Sequence, residues 1–231
     1  MKSIRKAVIV DGVRTPFLDT GGAYSQLMTY ELGGKAIAGL VNKTGVDANR
    51  VNMVTMGTVL HEIETSNVAR ESMLSAGLPA TIPAYTTSMA GLSASVGFAN
   101  LCDMIALGRI DVGIAAGVES FSDIPIRYSQ KIRRAAMKVR QDTSAKNILK
   151  NLASLRPADL KPEMPTGTDF TTRKTMGVCA EQMVQKFKVS REDCDAFTVR
   201  SHQLAIEALN QGHFEGTIIP VQVPGFKHPI T

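Results

Sequence analysis

The chain has 231 residues, of which 44% are hydrophobic and 20% are charged. This composition is typical of a folded globular protein and excludes a wholly disordered chain. Its apolar runs are far shorter than the ~18 residues that a membrane-spanning helix needs, and because a strand pattern begins at Ala7, we expect no signal or transit peptide in this sequence. Its three cysteines and four histidines are widely spaced, which predicts neither a disulfide framework nor a metal site.

The formal net charge of +5 points to an anionic partner. The sequence has no tryptophan and four tyrosines, and aromatic residues do not alternate with the basic ones, so we expect no nucleic-acid partner. A nucleotide-bearing coenzyme or an anionic lipid surface accounts for the charge equally well.

The N-terminal part of the chain alternates between strand and helix patterns. Residues 7–10 form a continuous apolar run, which predicts a strand buried on both faces. Apolar residues recur at helical spacing from Leu32 to Val41, and a short helix is predicted over residues 69–76. Residues 51–60 and 84–89 have the composition of strands.

The alternation continues through two further elements. Residues 91–107 are small or apolar on every face, with Asp103 the only charge, which predicts a helix buried on all sides. Residues 112–118 have the pattern of a buried strand. Together these elements predict an α/β layered domain over residues 1–122.

A second, mainly helical domain is predicted over residues 123–231. Residues 127–175 are first basic and then interrupted by prolines, which is typical of an inserted loop region. Ser190 and Asp193 form a capping-box pattern at the start of a helix. The remaining elements are predicted in the order helix, helix and short strand, over residues 176–187, 190–210 and 217–223.

Short segments with a characteristic order stand out along the chain. They are DGVRTPF at residues 11–17, TSNVARE at 65–71, AGVES at 116–120 with SDIPIR at 122–127, TMG at 175–177 and RSH at 200–202. In this order they resemble the thiolase family, most closely its branch of trifunctional-enzyme β-subunits. The resemblance runs along the whole chain. It implies a thiolase-like α/β layered fold, with an N-terminal β-α-β domain around a mixed sheet and a mainly helical loop domain, and without the family's C-terminal half.

The resemblance implies acyl transfer on coenzyme A thioesters, with the fatty-acid β-oxidation ancestry of 3-ketoacyl-CoA thiolases. In that scheme a cysteine takes the acyl group, and the second half of the fold supplies a histidine base and a second reactive cysteine. A thiol at the N-terminus of a buried helix suits this role, because the helix dipole lowers its pKa and backbone amides hold the oxyanion.

A glycine occupies the position of that nucleophile. When the chain is aligned on AGVE at residues 116–119, the nucleophile falls on Gly91; a shifted alignment places Ser88 there instead. Cys102 lies about three turns along the same helix, ~16 Å away, and the other two cysteines lie in the predicted loop domain. We expect all three cysteines to be structural and the four histidines to be isolated, so no catalytic residue is predicted.

The resemblance also nominates residues that contact ligands. Because the loop domain supplies much of the coenzyme A site in this family, Met176 and Lys227 are candidates for contacting coenzyme A or an acyl-CoA, although no cofactor is required. Phe226 stands where many thiolases have a basic residue. The basic stretch between Arg127 and Arg140 predicts either a solvated helix face or a contact with an anionic membrane surface.

The first domain is expected to be incomplete, since in the family a later strand returns to its sheet after the loop domain. We expect a partner chain, a homodimer or a longer parent protein to cover the open sheet edge. The resemblance further implies pairing of the strand near residues 84–88 across a dimer axis and a mitochondrial location.

Three functional interpretations follow from these residues. The first is a catalytically inactive thiolase-like chain that serves as a structural or assembly subunit of a larger complex. The second is half of a split acyltransferase that another chain completes. The third is a coenzyme A binding module without chemistry.

Overall fold

The N-terminal half of the chain folds around a three-stranded sheet. β1 (Met53–Gly57) lies between β2 (Ala84–Thr87) and β3 (Gly113–Gly117), and both neighbours run parallel to it. Val54 is opposite Ala84 on one side and opposite Ile114 on the other. The predicted sheet was mixed, whereas the three strands described here are all parallel.

The structure is a computed structural model that describes residues 4–165 and 167–231. Contacts group the chain into two units, one reaching from the N-terminus to Asp123 and including Phe197–Thr231, and the other comprising Ile124–Ala196. The division into domains of residues 1–122 and 123–231 stays a prediction from the sequence pattern.

Helices make the connections that parallel strands require. α1 precedes β1, α2 connects β1 to β2, and α3 connects β2 to β3. Their bounds are Thr29–Thr44 for α1, Val68–Ser75 for α2 and Ser93–Ala106 for α3. The strands at residues 53–57, 84–87 and 113–117 and these three helices confirm the predicted α/β alternation.

The core lies around the central strand. Val54, Thr55 and Met56 of β1 are fully buried, because β1 has a neighbouring strand on each side and helices against the sheet. Ile37 of α1 and Met73 of α2 pack into the same cluster. Burial of consecutive residues explains why this strand has apolar residues on both faces, with Thr55 its one polar side chain, rather than a strict alternation.

Local signals set the helix ends. α1 begins where the Glu31 carboxylate accepts a hydrogen bond from the amide of Met28, 2.8 Å away, and it ends at Gly45, whose φ of 64° is readily available to glycine. The side chain of Asn67 caps α2 by accepting from the amide of Arg70.

The described residues of the C-terminal half form four α-helices. They are α4 (Gln130–Gln141), α5 (Ala145–Ala153), α6 (Met176–Phe187) and α7 (Arg191–Asn210). Ser129, Ser144 and Thr175 cap the first three, and the Ser190 hydroxyl accepts from the amide of Asp193 before α7. The helices predicted over residues 176–187 and 190–210 are confirmed. In the described part of the chain, no helix has the length and apolar composition to cross a membrane.

Residues 7–10 do not form the predicted buried strand. They have no regular secondary structure, and Val8, Ile9 and Val10 are 76%, 76% and 86% exposed. An apolar run becomes a strand only when a neighbouring backbone bonds to it, and among the described residues none does so here.

The predicted burial of the third helix on all sides is also wrong. α3 buries Ser93, Gly97 and Leu101, but Phe98 is 43% exposed. This helix packs against the sheet with one face, so burial of every face would need a layer that the described residues do not supply.

The short strand predicted over residues 217–223 is likewise absent. The described segment forms single bridges instead, between Ile218 and Arg14 and between Val221 and Ile230. Val221 and Val223 are nevertheless buried in the core around β1. The apolar pattern of this segment therefore reflects the burial of its side chains and not pairing in a continuous strand.

Candidate functional site

A cleft of about 800 Å³ opens beside β3. Its walls are the segment of residues 11–18, the end of β3 with residues 114–119, one face of α1 and the turn that leads into α3. The side chains lining it are small and apolar for the most part, with charges at its rim. Among the residues that line it are Asp11, Arg14, Tyr24, Gly91, Phe98 and Glu119.

Gly91 lies in the wall of this cleft, just before α3. Residue 90 has a positive φ of 47°, and Leu92 is the N-cap of the helix. A Cβ atom built on Gly91 would meet no other atom within 4 Å. A larger side chain at this position would therefore point into open space beside the first amides of the helix, where a thiolate is stabilised.

The turn around Gly91 is held by hydrogen bonds. The Ser93 hydroxyl accepts from the amide of Met89 at 2.8 Å and donates to the carbonyl of Ala90 at 2.7 Å. Thr87 donates to the carbonyl of Ser93. A Cβ on Gly57 would collide with the backbone at the start of α3, so the helix packs directly on the end of β1. These contacts fix the turn at Gly91 although residue 91 itself has no side chain.

Glu119 anchors the loop after β1 at the rim of the cleft. Its carboxylate accepts from the amide of Val59 at 2.8 Å and from the amide of Leu60 at 3.2 Å. The hydroxyl of Thr58 lies 3.4 Å from the same carboxylate. The Glu119 carboxylate is therefore engaged in holding the loop. Apart from the AGVES motif at residues 116–120, the sequence gave no sign of these hydrogen bonds.

Ser88, the alternative nucleophile, lies beside a histidine. The Nε2 atom of His61 is 3.3 Å from the Ser88 hydroxyl oxygen, and both residues are exposed. This pair lies outside the set of residues lining the cleft. Among the described residues no carboxylate bonds to the other ring nitrogen of His61, so the pair has a nucleophile and a base without an orienting third group.

The remaining candidate residues are scattered. Met176 is the first residue of α6 and is 79% exposed. Lys227 is exposed in the turn after Val223, and it belongs to the other of the two units. The three cysteines are partly buried. The assignment of Met176 and Lys227 to a coenzyme A site therefore stays a prediction.

Charged and buried polar groups position the segment that walls the cleft. The Lys43 ammonium lies 2.7 Å from the Asp11 carboxylate and, with a further bond from the amide of Gly12, holds the pKa of Asp11 below its ordinary value of 3.8. The Tyr24 hydroxyl donates to the carbonyl of Pro16 at 3.0 Å, and burial raises the pKa of Tyr24.

The basic stretch forms most of α4. Ile132, Ala135 and Val139 share one face of this helix and are partly or fully buried. The basic side chains lie on the outside, at Lys131, Arg133, Arg134, Lys138 and Arg140. Lys131 is paired with Asp159 at 2.7 Å. The helix therefore presents an exposed basic face.

Comparison with known proteins defines the class to which this fold and cleft belong. The family described as thiolase, N-terminal domain, matches residues 7–231, so the chain belongs to the thiolase family. An acetyl-CoA acetyltransferase of Bacillus anthracis superimposes with a TM-score of 0.80 at 25% identity, covering 100% of this chain and 54% of that one. The thiolase-like α/β fold predicted from the sequence is confirmed.

Several members of the family are similar to this chain along most of its length. The chain is 40% identical over 223 residues to the mitochondrial trifunctional enzyme subunit beta of Bos taurus, and 40% identical to that of Homo sapiens; each match covers 96% of this chain and 47% of the relative. A 3-ketoacyl-CoA thiolase of Yersinia pestis is 33% identical, with 97% and 52% covered. The chain spans about half the length of the curated relatives it matches.

Proposed function

We propose that this chain is a catalytically inactive member of the thiolase family that serves as a structural or assembly subunit of a larger complex. The observation that carries the proposal is Gly91, which lies at the start of α3 in the wall of the cleft. The turn that would present a nucleophile is intact, but residue 91 has no thiol. Cys102 lies nine positions into α3, too far along the helix to replace it.

The surrounding chemistry supports an acyl-CoA ancestry. Relatives of this chain are named as a 3-ketoacyl-CoA thiolase and as subunits of a trifunctional enzyme. We therefore propose that the chain derives from an ancestor that acted on coenzyme A thioesters. We further propose a mitochondrial location, because several relatives are named as mitochondrial.

A thiolysis assay tests the proposed loss of activity. The purified chain is given acetoacetyl-CoA and coenzyme A, and both substrate consumption and the intact mass of the protein are followed. We expect no turnover and no acyl adduct. Turnover above the rate without protein would overturn the proposal.

A second candidate function rests on the contact between His61 and Ser88. A histidine within hydrogen-bond distance of a hydroxyl can act as its general base, so Ser88 is the position at which a split acyltransferase, completed by another chain, would carry its acyl group. The same mass measurement decides it. An acyl group mapped to Ser88, and lost in Ser88→Ala, would favour this second function over the first.

We also propose that α4 contacts an anionic membrane surface. α4 contacts α5, on which Leu149 and Leu152 are exposed. Each basic residue near an anionic surface contributes about 1 kcal/mol, so Arg133→Glu combined with Arg134→Glu should weaken binding to vesicles containing phosphatidylserine at least about 25-fold. Lys186→Glu on α6 is the control, and an equal loss in that variant would contradict the assignment.

A further inference from the structure

Two exposed residues outside the cleft, Ser88 and His61, bring a nucleophile and a base into contact. The Nε2 atom of His61 lies 3.3 Å from the Ser88 hydroxyl oxygen. In a neutral imidazole one ring nitrogen is an acceptor, so the Ser88 hydroxyl can donate its hydrogen bond to Nε2. A hydroxyl held in this way can attack a carbonyl carbon while the histidine takes its proton.

Ser88 stands at the sharp turn between β2 and α3. β2 ends at Thr87 and α3 begins at Ser93, so residues 88–92 turn the chain from strand into helix. In this turn Ala90 has a φ of 47°, in the left-handed region that residues other than glycine seldom adopt. A strained turn from strand to helix also presents the nucleophilic serine of α/β-hydrolases to substrate. The turn here presents the Ser88 hydroxyl to solvent in the same way.

Hydrogen bonds on both sides of Ser88 fix the position of its backbone. The carbonyl of Thr87 accepts from the amide of Thr58 at 3.2 Å. The amide of Met89 donates to the Ser93 hydroxyl at 2.8 Å. Because the residues before and after Ser88 are both held, its side chain starts from a defined place on the surface.

The loop that carries His61 is fixed by a different set of bonds. The Glu119 carboxylate accepts from the amide of Leu60, the residue just before His61, at 3.2 Å. The bond from Thr58 to Thr87 joins the start of this loop to the end of β2. Fixed backbone therefore brings His61 to Ser88, with Glu119 as a positioning residue in place of a third group bonded to the imidazole.

The charges around the pair indicate the kind of substrate that fits. Glu62 and Glu64 follow His61 in the same loop, and Glu64 is exposed. Their carboxylates repel an anion such as the phosphates of a coenzyme A thioester and attract a cation. In the part of the chain that the structure describes, the amides of Ala90 and Gly91 have no hydrogen-bond partner, so they are available to an oxygen that becomes negative during attack.

We propose that Ser88 and His61 hydrolyse small uncharged or cationic carboxylic esters. The Ser88 oxygen bonds to the carbonyl carbon as its proton passes to Nε2 of His61. The bond from that carbon to the alcohol oxygen breaks, and the proton leaves with the alcohol. Water then gives a proton to His61 and attacks the acyl carbon, and the breaking ester bond returns this proton to the Ser88 oxygen. The products are a carboxylic acid and an alcohol.

This activity goes beyond both proposed functions, because it needs neither a coenzyme A thioester nor a second chain. The loss of the thiol at residue 91 leaves it untouched, since Ser88 and His61 lie outside the residues that line the cleft.

Release of p-nitrophenol from p-nitrophenyl acetate tests the proposal on the full chain. We expect turnover above the rate in buffer, and an acetyl group mapped by mass spectrometry to Ser88. Ser88→Ala and His61→Gln should each lower the protein-dependent rate at least about tenfold, because general-base catalysis of a hydroxyl contributes about 100-fold or more. Both side chains are exposed, so circular dichroism of the variants should match the wild type.

Matched variants separate this site from the reaction of an ordinary surface residue with the activated ester. Ser66→Ala removes an exposed hydroxyl from the loop that follows His61, and His202→Gln removes an exposed imidazole from α7. Both should keep the wild-type rate. A loss in His202→Gln equal to that in His61→Gln, or an unchanged rate in Ser88→Ala, would overturn the assignment.

A second comparison tests the substrate class. Phenyl acetate carrying a trimethylammonium group should be hydrolysed with a kcat/KM at least about threefold above that of phenyl acetate carrying a carboxylate. Glu64→Gln should reduce this preference, whereas Glu192→Gln on α7 should not. Preference for the anionic ester would contradict the assigned class.

Failure of this proposal and failure of the proposed function give different results. Absence of ester hydrolysis, or an acetyl group mapped to another residue, would remove the Ser88 site and leave the absence of thiolysis standing. Thiolysis of acetoacetyl-CoA that persists in Ser88→Ala would contradict the proposed function and leave the ester site standing.

Discussion

Gly91→Cys places a thiol just before α3, and the pKa of that thiol tests whether residue 91 still occupies a nucleophile position. The substitution is sterically open, since a Cβ there meets nothing within 4 Å. A helix N-terminus stabilises a nearby exposed anion by about 0.3–1 kcal/mol. Because about 1.36 kcal/mol corresponds to one pKa unit, the thiol pKa should fall about 0.2–0.7 units below the free value of roughly 8.5.

Ser154→Cys provides a matched control at the opposite end of a helix. Ser154 is exposed and is the C-cap of α5, where the dipole disfavours an anion and should raise the thiol pKa by a similar amount. The two pKa values should thus differ by about 0.4–1.5 units.

The assay is the rate of alkylation by iodoacetamide as a function of pH, with peptide mapping to count each cysteine separately. Three native cysteines are present, so mapping is needed to separate the introduced thiol from them. Equal pKa values in the two variants, or a higher value at residue 91, would refute the idea that the start of α3 prepares a nucleophile.

Three further predictions concern the groups that shape the cleft. Glu119→Ala removes the bonds to two loop amides and should cost about 1.5–3 kcal/mol of unfolding free energy in urea titration, whereas Glu64→Ala at an exposed site should cost under about 0.5 kcal/mol; equal costs would contradict the role of Glu119. Tyr24→Phe removes a buried hydrogen bond to a backbone carbonyl and should lower the free energy of unfolding by about 1 kcal/mol. A melting temperature equal to that of the wild type would contradict this. The pKa of Asp11 is lower in the folded protein than the ordinary 3.8, so the stabilisation by Lys43 is complete above that value and is lost as the pH falls through the folded pKa. As the pH falls, amide exchange at residues 11–14 should rise in the wild type and approach the rate in Lys43→Met, which lacks the pair at every pH. A ratio of the two exchange rates that does not change with pH would argue against this pair.

The central elements were predictable because local pattern and burial agree there. β1 is apolar apart from Thr55 and is buried between two strands, and α1 shows helical spacing that ends at a glycine with positive φ. In each case the residues that decide the element are near one another along the chain. Residues 7–10 are also apolar, but no described backbone pairs with them.

The contents of the site divide in the same way. Alignment of the motif at residues 116–119 located Gly91 from the sequence, and the structure places it in the wall of the cleft. The pairing of Ser88 with His61 had no sequence signal, since the two residues are 27 positions apart and belong to different connections. Neither spacing nor residue type brings such a pair together.

The amino-acid sequence by itself determined which chemistry residue 91 can offer, because a glycine has no nucleophile in any fold, and it determined the order of helices and strands through short-range patterns. Only the tertiary structure decided which strands pair and which edges stay free. Backbone hydrogen bonds in a parallel sheet join residues that are far apart in the chain. The apolar run at residues 7–10 therefore predicted a buried strand, but the described residues supply no strand that pairs with it, and its side chains are exposed.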